Sequence, residues 1–283
     1  MTPELVGDHR CRLGEGPTWD ARTRALLFVD ILAGEVHRLD PRTADLETIE
    51  VGEPVGAVVP RSAGGYVVAT RSGFGALADD GVLTPLHAVE ERAPGARMND
   101  AKCDAAGRLW AGTQSTAPEW RAGGLYRLDA TGVTRVLNGV ATSNGIGWSV
   151  DGSTLYYVDS ATGGIDAFDF DVATGSVDRR RRFADVPPEL GLPDGLTVDA
   201  EDGVWLAVFF GSRLHRYGPD GRLDAVVHFP VSLVTSCAFG GDTLDELYVT
   251  TAAHRLRDPE PLAGALFRLD AGVRGRTETP FAA

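Results

Sequence analysis

Polar residues recur at one phase of an internal repeat. Five positions before the turn residues Asp20, Asp104, Ser149, Asp199 and Gly241 stand Glu15, Asn99, Asn144, Asp194 and Ser236. A small residue follows most of them: Gly16, Gly145, Gly195 and, more loosely, Cys237. In a ring of equivalent repeats, equal phase means equal height along the axis, so these side chains are expected to converge on one mouth of a central channel. Glu15, Asn144 and Asp194 offer two carboxylates and an amide carbonyl, with no thiolate or imidazole at that phase. Such an all-oxygen set suits one hard divalent cation with water completing its shell, calcium first, with manganese, magnesium and zinc also compatible. Taken singly, each residue reads as an ordinary strand cap satisfied by hydrogen bonds and water. Two anions and an amide aimed at one channel instead need a compensating cation. Val55 holds the same phase in the second repeat and gives the ring one apolar wall.

Arg97 and Asn99 lie two apart in Arg97-Met-Asn-Asp100, so on an extended segment both point the same way. A guanidinium and an amide there suit hydroxyl and carboxyl oxygens of a single ligand. The plainer alternative pairs Arg97 with Asp100 or Glu91.

The elements that must hold these residues are short strands. The 35 glycines and 16 prolines favour many turns. One phrase recurs, a glycine followed by an apolar residue and then Arg-Leu or its like: Gly34-Glu-Val-His-Arg-Leu-Asp40, Gly124-Leu-Tyr-Arg-Leu-Asp129, Gly211-Ser-Arg-Leu-His-Arg-Tyr217 and Gly264-Ala-Leu-Phe-Arg-Leu-Asp270. Before the phrases run apolar strands beginning at Ala25, Tyr66, Leu109, Leu155, Val204 and Glu246. Their starts fall about 40 to 49 residues apart, the spacing of four-stranded propeller blades. An all-β, six-bladed β-propeller is therefore expected over residues 1–283 as a single domain, in preference to a sandwich or jelly roll. The segment from Glu4 to Arg12 is expected to close the ring by pairing with the last blade.

Composition narrows the partners. A hydrophobic share of 43% with 24% charged residues is ordinary globular chemistry. The net charge of -13 disfavours nucleic acid and anionic membrane surfaces. The basic run Arg179 to Arg182 is flanked by Asp178 and Asp185 and reads as a solvated strand edge. Cys11, Cys103 and Cys237 form no Cys-x-x-Cys pair, which fits a reducing compartment. The first residues lack a basic and apolar leader pattern, so a cytoplasmic location is expected. Gly73-Phe-Gly75 is a poor dinucleotide fingerprint because no helix pattern follows. No nucleophile elbow, His-Glu-x-x-His or phosphate-binding loop occurs. His215, within Leu-His-Arg-Tyr, is expected in the core or channel wall.

Four stretches carry a resemblance: Leu13-Gly-Glu-Gly-Pro17; Arg97-Met-Asn-Asp-Ala-Lys-Cys-Asp104 with Gly107-Arg-Leu-Trp-Ala-Gly-Thr113; Ser143-Asn-Gly-Ile-Gly-Trp-Ser149; and Pro193-Asp-Gly-Leu-Thr-Val-Asp199. In order and spacing, the chain resembles the senescence-marker-protein/gluconolactonase family, regucalcin-like proteins and bacterial sugar lactonases, over nearly its whole length. The resemblance implies a six-bladed propeller in which Glu15, Asn144 and Asp194 bind a divalent metal. It further implies that Arg97 and Asn99 hold the substrate and that Asp194 is the catalytic base. Two positions depart from the family pattern. Ala117 stands where some animal members carry a substrate-binding glutamate, which leaves Gln114 or Glu119 as substitutes, and Ala101 replaces a glycine.

These features together lead to an expected metal-dependent lactonase, a hydrolase of carbohydrate metabolism opening an aldono-lactone to the aldonic acid. Its partner is then a small-molecule lactone, with no nucleic acid or membrane involved and the oligomeric state open. The alternatives are hydrolysis of another ester, an organophosphate or a specialised metabolite on the same site, and a non-catalytic calcium-binding or protein-interaction propeller.

Overall fold

The apolar runs become the second strand of each sheet. Ala25–Asp30, Leu109–Gln114 and Val204–Phe209 are buried along almost their whole length, because each has a partner strand on either side and an adjacent sheet on both faces. The recurrent phrase forms third strands, among them Glu35–Asp40, Gly123–Asp129, Arg213–Tyr217 and Leu266–Asp270. Fourth strands such as Asp45–Glu50 and Leu83–Ala88 are largely exposed. Burial thus falls from the axis outward, and the sequence turns from continuously apolar to charged along the same direction.

The computed structural model describes residues 1–89, 96–115, 123–256 and 258–283. It arranges them in six four-stranded antiparallel sheets around one axis, a six-bladed all-β propeller. Among the described residues the helical segments are two short 3₁₀ turns, Ser160–Thr162 and Pro188–Leu190, and no helix is long and apolar enough to cross a membrane. The core is divided between blades. Trp110 and Leu125 pack with Trp148 and Phe168 between the third and fourth blades. Trp205 and Leu214 pack with Phe239 and Phe267 between the fifth and sixth. Trp19 and Leu26 pack with Tyr248 and Leu266 where the sixth meets the first.

The seam of the ring is stitched by both ends of the chain. Glu4–Val6 forms the outer strand of the last blade, pairing antiparallel with Leu266–Asp270. The strand is shorter than the segment expected to pair, and the following residues bond differently. Cys11 N–H donates to Gly264 O at 2.8 Å, and His254 N–H to Arg12 O at 2.9 Å. Thr235 Oγ1 donates to Gly14 O at 2.6 Å.

Arg179 to Arg182 lie on the outer strand Ser176–Asp185. Arg181 pairs with Asp169 at 2.7 Å and Arg182 with Asp166 at 3.1 Å, as a solvated edge should. Gly73–Leu77 is a strand containing the Gly-Phe-Gly triplet. His215 is buried with Nδ1 2.9 Å from the Tyr217 hydroxyl.

Candidate functional site

The inner strands Gly14–Asp20, Val55–Pro60, Arg97–Cys103, Ser143–Trp148, Leu192–Val198 and Val234–Gly240 run side by side around the axis. Each slips register by one residue against its second strand near its start. A bulge of this kind leaves residues unpaired and re-aims their side chains. In the third, fourth and fifth blades the slipped residues include Asn99, Asn144 and Asp194. In the first blade the slip follows directly after Glu15.

The glycines beside these residues have a steric cause. A Cβ on Gly145 would lie 2.8 Å from Asp194 O, and one on Gly56 would lie 2.6 Å from Met98 O. Neighbouring inner strands therefore touch backbone to backbone at the height of the site. Gly16 additionally takes a left-handed φ of 53°.

Glu15, Arg97, Asn99, Asn144 and Asp194 line one cavity of about 300 Å³ at the end of the channel where the inner strands begin. Val55 and Ser236 share their phase but not the cavity. Val55 is fully buried among Leu27, Val29 and Val58 between the first two blades, so it supplies no wall. The apolar wall comes instead from Leu13, Leu32, Leu192 and Phe209. Ser236 lies against Gly195, whose missing side chain makes room for it.

Hydrogen bonds run around the mouth across three blades. Arg97 donates to Asn99 Oδ1 at 2.6 Å and to Gln114 Oε1 at 2.6 Å. Asn99 Nδ2 donates to Ser143 O at 2.7 Å and to Asn144 Oδ1 at 2.8 Å. Asn144 Nδ2 donates to Ser160 Oγ at 2.8 Å, and Ser160 Oγ donates to Pro193 O at 2.7 Å, next to Asp194. The chain fixes both amides, so Asn144 Oδ1 faces Asn99 and keeps one lone pair free. Arg97 does not take Asp100 as its partner. Asp100 Oδ1 accepts from Ala101 N–H at 2.7 Å, and Glu91, Ala117 and Glu119 lie outside the described residues. Gln114, the register partner of Arg97, holds the guanidinium instead.

Glu15 and Asp194 are both buried. Burial, and then repulsion from neighbouring carboxylates, raises both above the usual carboxylate range, with Arg97 pulling the other way. Asp100 is pushed up to about 6, chiefly by burial, against the pull of Lys102. Arg97 is drawn down to about 10 by burial, while Glu15 and Asp194 favour its charge. Arg97 thus lies between the buried carboxyl groups of Glu15 and Asp194, with Arg255 also lining the cavity, and a dication there would favour the charged form that burial disfavours in both carboxyls. The remaining lone pairs on the oxygens of Glu15, Asn144 and Asp194 fit such an ion.

Sequence reasoning named Gln114 only as a substitute for the absent glutamate, whereas it holds the Arg97 guanidinium; it missed Ser160, which orients the Asn144 amide, and His254 and Arg255, which bring basic groups to the rim. Ser160 follows Asp159, whose carboxylate accepts from Ala141 and Thr142 N–H at the mouth. Asp30 does the same for Arg12 and Leu13. That repeated aspartate at the end of a second strand was the available signal.

Residues 13–253 match the family model described as SMP-30/Gluconolactonase/LRE-like region. The chain is 37% identical to regucalcin of Xenopus laevis over 292 aligned positions, covering 99% of this chain and 98% of that one. Among solved structures it superposes on a luciferin-regenerating enzyme with TM-score 0.93 and 33% identity, covering 100% of this chain and 99% of the other. A calcium-binding protein, regucalcin, from Agrobacterium tumefaciens gives TM-score 0.94 at 29% identity, covering 99% and 97%.

Proposed function

We propose, from the premise that the chain belongs to the SMP-30/gluconolactonase/LRE-like family, that it is a metal-dependent lactonase opening a sugar lactone to its aldonic acid. The observation that carries this reading is the pair of buried carboxylates, Glu15 and Asp194, sharing one cavity with a fixed amide and a guanidinium. Glu15, Asn144 and Asp194 would hold the cation, calcium first, with zinc, manganese and magnesium as the other candidates. A divalent ion there supplies Lewis-acid polarisation of a carbonyl and acidifies water.

Asp194 takes the proton of the attacking water as its oxygen bonds to the lactone carbonyl carbon. The ring C–O bond then breaks, and the same proton passes to the departing oxygen, leaving a hydroxy acid. Arg97 and Asn99 orient the sugar hydroxyls from one wall. Their mutual hydrogen bond and the Gln114 contact set the guanidinium plane before substrate arrives, which lowers the ordering cost of binding. Leu13, Leu32, Leu192 and Phe209 displace bulk water on the other side, which strengthens the electrostatics of the site.

Aldono-lactones screened by a pH indicator, on chelator-stripped protein with calcium, zinc, manganese and magnesium restored separately, test substrate and metal together. Asp194→Asn is expected to bind metal in calorimetry yet lose turnover by about 100-fold or more. Full activity in that variant removes Asp194 from the mechanism. A second reading, a non-catalytic calcium binder, draws on the calcium-binding regucalcin among the structural relatives. Calcium binding with no turnover of any lactone or ester would select it.

A further inference from the structure

Apart from the channel oxygens, the seam of the ring carries a nitrogen and sulfur cluster, none of whose three residues lines the channel cavity. His9 and Cys11 lie on the segment joining Glu4–Val6 to the first inner strand, and His37 lies on the third strand of the first blade. One ligating atom from each lies within 4.8 Å of the others. His37 is fully buried and Cys11 is 3% exposed. His9 Nε2 and His37 Nε2 are both buried without a hydrogen-bond partner. Two orphaned imidazole nitrogens in one pocket are costly, and each such atom in a native fold calls for an explanation.

The surroundings already resemble the outer shell of a metal site. His37 Nδ1 lies 3.0 Å from Thr48 Oγ1. With the Nδ1 proton donated there, the lone pair stands on Nε2, the orphaned atom. Glu35, two residues before His37 on the same strand face, brings Oε2 to 3.5 Å from His37 Nε2. The His9 and His37 rings sit 4.4 Å apart, inclined by 60°. Metal–nitrogen and metal–sulfur bonds of ordinary zinc length place tetrahedral ligands about 3.3 to 3.6 Å apart, a contraction of roughly 1 Å from the observed spread.

We propose that His9, Cys11 and His37 form a zinc site, with Glu35 or water as the fourth ligand, that ties the N-terminal segment to the first blade. The donor set is two imidazoles and a thiolate, which selects zinc over the hard cations suited to the channel. Before loading, burial and then the nearby Asp30 and Glu35 hold the Cys11 thiol protonated, while burial keeps His37 neutral. Loading forms one metal–sulfur and two metal–nitrogen bonds and releases the thiol proton to solvent. The role is structural, because the ion would bridge chain segments on the two sides of the ring's seam.

Chelator-stripped, reduced full-length protein titrated with Co²⁺ reports the site through the ultraviolet thiolate-to-cobalt charge-transfer band, which an all-oxygen site does not give. The expected result is a band that saturates at one equivalent per chain, is bleached by Zn²⁺, persists in Asp194→Asn and is absent in Cys11→Ser. His9→Gln, nearer the surface, should weaken Co²⁺ binding by at least the 10- to 100-fold that loss of even an outer-shell partner costs. Circular dichroism of each metal-free variant identifies any that is misfolded, and the wild-type band stands as a test by itself. No thiolate band in wild-type protein at saturating Co²⁺, or a band that survives in folded Cys11→Ser, overturns the proposal.

Discussion

His215 shows how one residue couples this fold to pH. Burial, then Arg213 and His228, draws its pKa down from 6.5 to about 4, and Tyr217 is its hydrogen-bond partner. Above pH 6.5 the imidazole is neutral in both folded and unfolded chains and contributes no pH dependence. As the pH falls below 6.5, the unfolded chain takes up a proton that the fold refuses, so stability declines until about pH 4. The loss at pH 5 should be about 1 to 2 kcal/mol. Urea unfolding at pH 7 and pH 5 should show wild type and His215→Phe differing by that amount, while His37, drawn to about 4 by burial as well, keeps its own share in both; an unchanged slope would assign the effect elsewhere. Residues of the candidate site differ in how readable they were. Glu15, Asn99, Asn144 and Asp194 occupy inner strands of similar length, so counting from a turn finds them. The same count also selected Val55 and Ser236, because phase gives height along the axis but not which way a side chain turns at a bulge. Leu192, Phe209, His254 and Arg255 come from strand ends and connections, where no common spacing exists.

Among elements, the inner strands carry the tightest constraint. Gly56 contributes no chemistry, yet a Cβ there would press on the carbonyl oxygens of Met98 and Asn99. Those are backbone atoms of the strand that presents Arg97 and Asn99, and they cannot rotate aside. Gly56→Ala should therefore cost about 1 to 3 kcal/mol in urea unfolding and raise the KM for lactone by moving Asn99. Loss of stability with unaltered kinetics would separate the packing of the second blade from the seating of that amide. The strand plan itself was legible, because second strands buried on both faces must be apolar and four of the six third strands end in aspartate. The bulges were not, since one extra residue in a seven-residue strand such as Arg97–Cys103 leaves the apolar pattern nearly intact.

At the scale of the whole molecule, the ring depends on a three-residue strand. Glu4–Val6 pairs through Glu4 with Arg268, Leu5 with Phe267 and Val6 with Leu266. Removing residues 1–6 would leave Leu266–Asp270 as a bare edge in a ring whose neighbouring blades share that core. The truncated protein should melt about 5 °C or more below the full chain and scatter light increasingly with concentration. An unchanged melt would mean that the bonds from Cys11, Arg12 and Thr235 hold the seam without the strand. The same arrangement also bears on synthesis. A ribosome adding roughly 5 to 20 residues per second releases the opening strand tens of seconds before its mate exists, so the nascent chain must keep a sticky edge idle while five blades assemble. The brevity of Glu4–Val6 and its acidic first residue then act as protection during translation: too short to template aggregation alone, and sufficient to latch once the last blade emerges.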